Sequence, residues 1–155
     1  MIAILENIRS VHNVGSIFRT ADAAGIERVV LCGLTPKPID RFKRVRDDFA
    51  KTALGAEKSV AWEYEQTAAD AVRRLKEEGW RIVALEQTEK SKNVFESDAT
   101  DKKKIALVVG NEVEGVSAGI LEEADEIVEI PMRGAKESLN VSVAFGIAAY
   151  ALTNN

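Results

Sequence analysis

The chain has 155 residues, 46% of them hydrophobic and 30% charged, with a formal net charge of -4. That length suits one domain with a single core, and the acidic balance argues against a general nucleic-acid coat protein while leaving room for a local basic patch. One cysteine (Cys32) and one histidine (His12) supply neither a disulfide nor a metal site, so no metal, no membrane span and a cytoplasmic location are expected.

Residues 2–5 read as a strand. A helix is predicted over about 13–24, with Asn13 as N-cap and Gly25 as its stop. Residues 29–32 are continuously apolar, as in a strand covered on both faces. Residues 33–59 read as a long irregular region containing Pro36, Pro38 and the cations Lys37, Arg41, Lys43, Arg44, Arg46, Lys51 and Lys58. Loops of that length are functional or mobile.

Residues 60–64 alternate and read as a strand; 67–78 read as a helix with Ala68, Ala71, Val72 and Leu75 on one face. Two more buried strands are expected at 81–85 and 105–109, a short helix at 117–124 and a last strand at 126–130. The final helix, about 139–153, has two apolar stripes: Val141, Ala144, Phe145, Ala148 and Leu152, and then Val143, Ile147, Tyr150 and Ala151. A helix apolar on two faces is buried on two faces, so a second copy is the expected cover for one of them. Strands alternating with helices imply an α/β fold with a mostly parallel sheet flanked by helices.

Three segments place polar side chains where such a fold binds ligands. Asn13-Val14-Gly15-Ser16-Ile17-Phe18-Arg19 puts a glycine at a helix start and a cationic fork one turn on. Gly110-Asn111-Glu112-Val113-Glu114-Gly115 directly follows a strand, where ligands of parallel sheets bind. Ile130-Pro131-Met132 ends the last strand, and Ser138-Leu139-Asn140-Val141-Ser142 opens the last helix. Each also has a bland reading: a cap with a surface arginine, a tight connection, and a second cap.

In order and spacing, the three resemble the SpoU/TrmH branch of the SPOUT methyltransferases, and the likeness covers nearly the whole chain. The resemblance implies a C-terminal deep trefoil knot and a homodimer. It implies S-adenosylmethionine as cofactor, held by Leu85, Glu86, Gln87, Gly110, Ile130 and Leu139. It implies methyl transfer to a ribose 2′-hydroxyl of RNA, with Arg19, Asn13, Glu112, Ser138 and Asn140 at the reaction. Because a guanidinium stays protonated, Arg19 is expected to clamp phosphate and stabilise oxyanion charge.

Many members of that family carry a separate RNA-binding domain before the catalytic one. Here the first motif comes almost at once, so residues 1–155 are expected to form a single catalytic domain without one. RNA contacts then fall to Arg41, Lys43, Arg44, Arg46 and Lys51. Transfer RNA is the first expected substrate and ribosomal RNA the second. The other readings are a non-catalytic RNA-binding dimer on the same fold and an enzyme for another nucleotide-like ligand.

Overall fold

The computed structural model describes residues 1–97 and 104–154. Its strands are β1 (Ile2–Glu6), β2 (Arg28–Cys32), β3 (Ala61–Glu65), β4 (Arg81–Leu85), β5 (Lys92–Asn93), β6 (Ile105–Val109) and β7 (Glu126–Glu129). Its helices are α1 (Val11–Ala23), α2 (Asp47–Ala53), α3 (Ala56–Ser59), α4 (Ala68–Glu77), α5 (Ala118–Glu123) and α6 (Val141–Asn154). The strands form one sheet in the order β3-β2-β1-β6-β4-β7-β5. Every strand pairing is parallel, with Ile4 of the interior strand β1 opposite Val30 on one side and Val108 on the other. The expected α/β class and parallel sheet are therefore present.

Strand periodicity sorts the side chains onto two cores. Ala3 and Leu5 of β1 join Leu31, Leu107 and Val109 in a core beneath α1 and α6. Ile2 and Ile4 point the other way, to Val30, Val108 and the Ala71, Val72 and Leu75 stripe of α4. Burial on both faces explains why β1, β2, β4 and β6 read as unbroken apolar runs. Phe18 of α1 meets Phe49 of α2 edge-on, with centroids 5.1 Å apart and planes at 83°. Truncating either fully buried ring costs roughly 3–5 kcal/mol.

Three expectations are corrected. The N-cap of α1 is Ser10, whose Oγ accepts from Asn13 N at 3.2 Å. Asn13 lies in the first turn instead, so its amide is free for other partners. The region 33–59 contains α2 and α3, and α2 packs closely on α1. A Cβ on Gly15 would lie 1.9 Å from Thr52 Oγ1 and 3.1 Å from Phe49 O. That glycine thus serves the contact between α1 and α2. Finally, α6 begins at Val141, later than 139, because Asn140 caps it. Asn140 O accepts from Ala144 N at 2.9 Å, and its Oδ1 accepts from Ser142 N at 2.9 Å.

Since all strands run one way, the carboxyl ends of β1, β4, β6 and β7 emerge on one side. The turn after β1, the loop at 110–117 and the segment 130–140 meet there.

Candidate active site

The carboxyl ends of β4, β6 and β7 surround a cavity of about 530 Å3. Its lining includes Leu85, Glu86 and Gln87 after β4, Gly110 through Gly115 after β6, Glu129 and Ile130, and Ser138, Leu139 and Asn140 before α6. All six residues expected at a cofactor share this one space, along with Glu112, Ser138 and Asn140. Carboxylates of Glu86, Glu112, Glu114 and Glu129 line it, and among the described residues no lysine or arginine does. The cavity is therefore anionic and favours a positively charged guest.

Loop bracing accounts for three of those residues. Glu86 Oε2 accepts from Val116 N at 2.9 Å, and Oε1 accepts from Gln87 N at 2.9 Å. The carboxylate ties the loop after β4 to the loop after β6. A Cβ on Gly110 would stand 2.2 Å from the carbonyl carbon of Gly115. Gly110 therefore lacks a side chain so that the loop can fold back on itself, with Asn111 and Gly115 bridged. Gln87 Nε2 donates to Glu137 O at 2.8 Å and fastens the segment before α6 across the cavity mouth.

Residues distant in sequence converge at the edge of this space. Asn13 Nδ2 donates to Glu112 Oε1 at 3.1 Å, and Asn140 Nδ2 donates to Asn13 Oδ1 at 3.1 Å. The row Asn140–Asn13–Glu112 joins all three segments singled out in the sequence. Asn13 is only 9% exposed, whereas Glu112 is open to solvent. Glu112 Oε2 has no hydrogen bond among the described residues, so it remains an available acceptor. Asn111, by contrast, is structural: its Nδ2 donates to Asn7 O at 2.8 Å and its Oδ1 accepts from Val113 N at 2.8 Å.

Arg19 is not in this row. It lines a separate hollow with His12, Ser16, Lys51 and Tyr150. Sequence reasoning missed a third space, on the far side of Glu112, walled by Arg9, Ser10, Asn13 and the 111–114 loop. Its signal was available: Arg9 and Ser10 follow the first strand, at a carboxyl end. Among the described residues no three of His, Cys, Asp and Glu group as metal ligands, and no helix is long and apolar enough to cross a membrane.

The SpoU rRNA Methylase family model matches residues 1–150. The chain belongs to the SpoU rRNA Methylase family. This SpoU chain is 36% identical over 149 residues to the 23S rRNA (guanosine-2'-O-)-methyltransferase RlmB of Escherichia coli strain K12, covering 96% of itself and 58% of that relative. It thus spans somewhat over half the length of the curated relatives it matches. A TrmH/SpoU tRNA modifying enzyme from A. aeolicus superposes with a TM-score of 0.82 at 34% identity, over 98% of this SpoU chain and 73% of that one. An AdoMet-bound rRNA methyltransferase from Sinorhizobium meliloti superposes at 0.86 with 27% identity, over 97% and 54%.

Proposed function

We propose that the chain transfers a methyl group from S-adenosylmethionine to a ribose 2′-hydroxyl of RNA, with ribosomal RNA as the substrate class. The observation that carries this reading is the anionic cavity beside the Asn140–Asn13–Glu112 row, in a chain of the SpoU family. Ribosomal RNA takes precedence over the transfer RNA expected from the sequence, because the Escherichia coli relative is a 23S rRNA (guanosine-2'-O-)-methyltransferase. No observation favours the non-catalytic dimer. An RNA substrate is also the reason to expect a cytoplasmic location.

The cavity residues fit the cofactor. A space of about 530 Å3 lies in the range of small-ligand sites. Leu85, Ile130 and Leu139 offer apolar walls for an adenine, and the carboxylates suit a sulfonium. When bound, S-adenosylmethionine supplies a methyl that is already electrophilic. The chain's task is then to position the hydroxyl and hold developing charge. Glu112 Oε2 accepts the hydrogen bond of the ribose hydroxyl. Asn13 holds Glu112 in place, and Asn140 holds Asn13. Ser138, at the cavity wall, is assigned to the ribose or to the loop around it.

Arg19 reaches the reaction from a second copy of the chain. Two features support this assignment: Arg19 lines a hollow apart from the cavity, and that hollow includes Tyr150 of α6. Tyr150 is 46% exposed and Val143 50%, while Ile147 and Ala151 are half-buried, so the second stripe of α6 is only partly covered among the described residues. A homodimer packed on this stripe would bury it and offer the cationic fork to the partner's phosphate. The trefoil knot is likewise inferred, from membership of the SpoU family. Arg41, Lys43, Arg44, Arg46 and Lys51 are assigned to RNA. Arg44 and Arg46 are already paired with Asp40 and Asp48, so Arg41, Lys43 and Lys51 bring most of the available charge.

Calorimetry with S-adenosylmethionine, followed by mass spectrometry of nucleosides from RNA treated with the protein, tests the reading. Cofactor binding and a 2′-O-methylated nucleoside are expected. Absence of both overturns it.

A further inference from the structure

We infer that the exposed turn around Phe42 is a stacking platform for an unpaired RNA base, so that the chain engages its RNA through a single-stranded segment. The inference takes its ligand class from the RNA-methyltransferase reading and adds the form in which the RNA is recognised.

Phe42 is 62% exposed, yet it stands on a pinned turn. Asp40 Oδ1 accepts from Phe42 N at 2.8 Å and from Arg44 N at 3.0 Å. Asp40 Oδ2 holds Arg44 Nε at 2.9 Å. Those hydrogen bonds, the backbone one from Arg44 foremost, hold the Asp40 carboxyl below its ordinary range. Ile39 and Val45 pair across the turn, and Lys43 closes it at φ +61°. The ring is thus held out to solvent by a rigid support, where a ligand that covers it regains apolar burial at little ordering cost.

The chemistry around the ring selects the ligand. The guanidinium carbons of Arg41 and Arg44 lie 4.8 and 5.0 Å from its centroid. Arg44 is committed to Asp40. Arg41 has no ion pair or hydrogen bond among the described residues, so it can leave the ring for a phosphate while a base takes its place. A second ring repeats the arrangement: Lys37 Nζ stands 4.8 Å over Tyr64, which is 43% exposed.

Residues 36–51 hold six cations against three carboxylates, in a chain whose net charge is -4. Protein interfaces are depleted in lysine, whereas surfaces for single-stranded nucleic acid combine cations with aromatic faces. A duplex hides the faces of all but its terminal base pairs, so it has far less to lay on Phe42.

Fluorescence anisotropy with a labelled short oligoadenylate and with a blunt RNA duplex of the same length tests this. Phe42→Ala is expected to weaken strand binding about tenfold and duplex binding by less than about twofold. Phe42→Trp is expected to keep strand affinity, with the indole fluorescence quenched on binding. An equal loss for both RNAs, no loss for either, or no strand binding by the unaltered chain overturns the inference. Calorimetry with S-adenosylmethionine on the same samples reads the cavity separately, so failure of the platform and failure of the methyltransferase reading are told apart.

Discussion

Asn13→Asp isolates the contact that joins the first and second segments. The substitution keeps size and shape but replaces the Nδ2 donor with an oxygen. It leaves Oδ1 able to accept from Asn140 at 3.1 Å while setting a carboxylate against Glu112 Oε1 at a like distance. Two unit charges 3.1 Å apart repel by about 1.3 kcal/mol in water and about 5 kcal/mol at an effective dielectric of 20. Position 13 is buried and Glu112 exposed, so the true value falls between these limits. A new acid in the first turn of α1 recovers up to about 1 kcal/mol from the helix dipole. The expected net loss is about 1–3 kcal/mol at neutral pH, measured by urea unfolding with linear extrapolation.

Two further readings sharpen that test. Repulsion raises the pKa of the new carboxyl above its ordinary value near 4. A raised folded-state pKa means the loss is largest at neutral pH and shrinks as pH falls through that value, when the protonated carboxyl donates again. Adding Glu112→Gln restores a donor opposite the new acceptor, and a double-mutant cycle should return about 1–3 kcal/mol of coupling. Methyl transfer should fall at least tenfold in the single variant and recover in part in the double. A single variant within about 0.5 kcal/mol of the parent, with no coupling to Glu112→Gln, refutes the row as an element of the folded protein.

Arg19→Ala is expected to lower turnover about a hundredfold or more without changing S-adenosylmethionine affinity, as loss of a charge-stabilising group does; radiolabelled methyl transfer beside calorimetry measures both. Gly110→Ala drives a Cβ to 2.2 Å from the backbone of Gly115, so cofactor binding should be abolished and the melting temperature lowered, readable by calorimetry and circular dichroism. Burial, reinforced by the carboxylates of Glu65, Glu6 and Glu63, pushes the Cys32 thiol up to about 12. Its alkylation by iodoacetamide at pH 8 should therefore run about a thousandfold slower in the folded chain than in urea. Comparable rates in the two states would show the thiol to be open.

The sheet was legible because a strand buried on both faces must be apolar throughout, and β1, β2, β4 and β6 are. The helix α2 was not. Only Phe49 and Ala53 face the core from its seven residues, and the flanking charges read as loop. The cap of α1 was misplaced because Ser10 and Asn13 are both good N-caps, and only tertiary contacts decide which side chain is used elsewhere. Gly15 and Gly110 stand out in the sequence, but the packing reasons for them do not: Thr52 and Phe49 of α2 for one, the folded-back loop at Gly115 for the other. The polar members of the row were each visible in the sequence. Their mutual contacts were not, since those depend on the order in which β1 and β6 enter the sheet. Arg19 shows the opposite case: it belongs to the same motif as Asn13, yet the helix carries it to another face.

The hydrogen bonds of the Asn140–Asn13–Glu112 row close loops of 99 and 127 residues. Contacts so far apart form slowly and late, after the local elements exist. During synthesis, the amino-terminal strands and α1 emerge long before Asn140 does. A chain synthesised only that far accordingly has a partial sheet but no assembled row, which waits for α6 to dock. Because Asn140 also caps that helix, the same residue both starts α6 and completes the row, so docking of α6 and assembly of the row become one event.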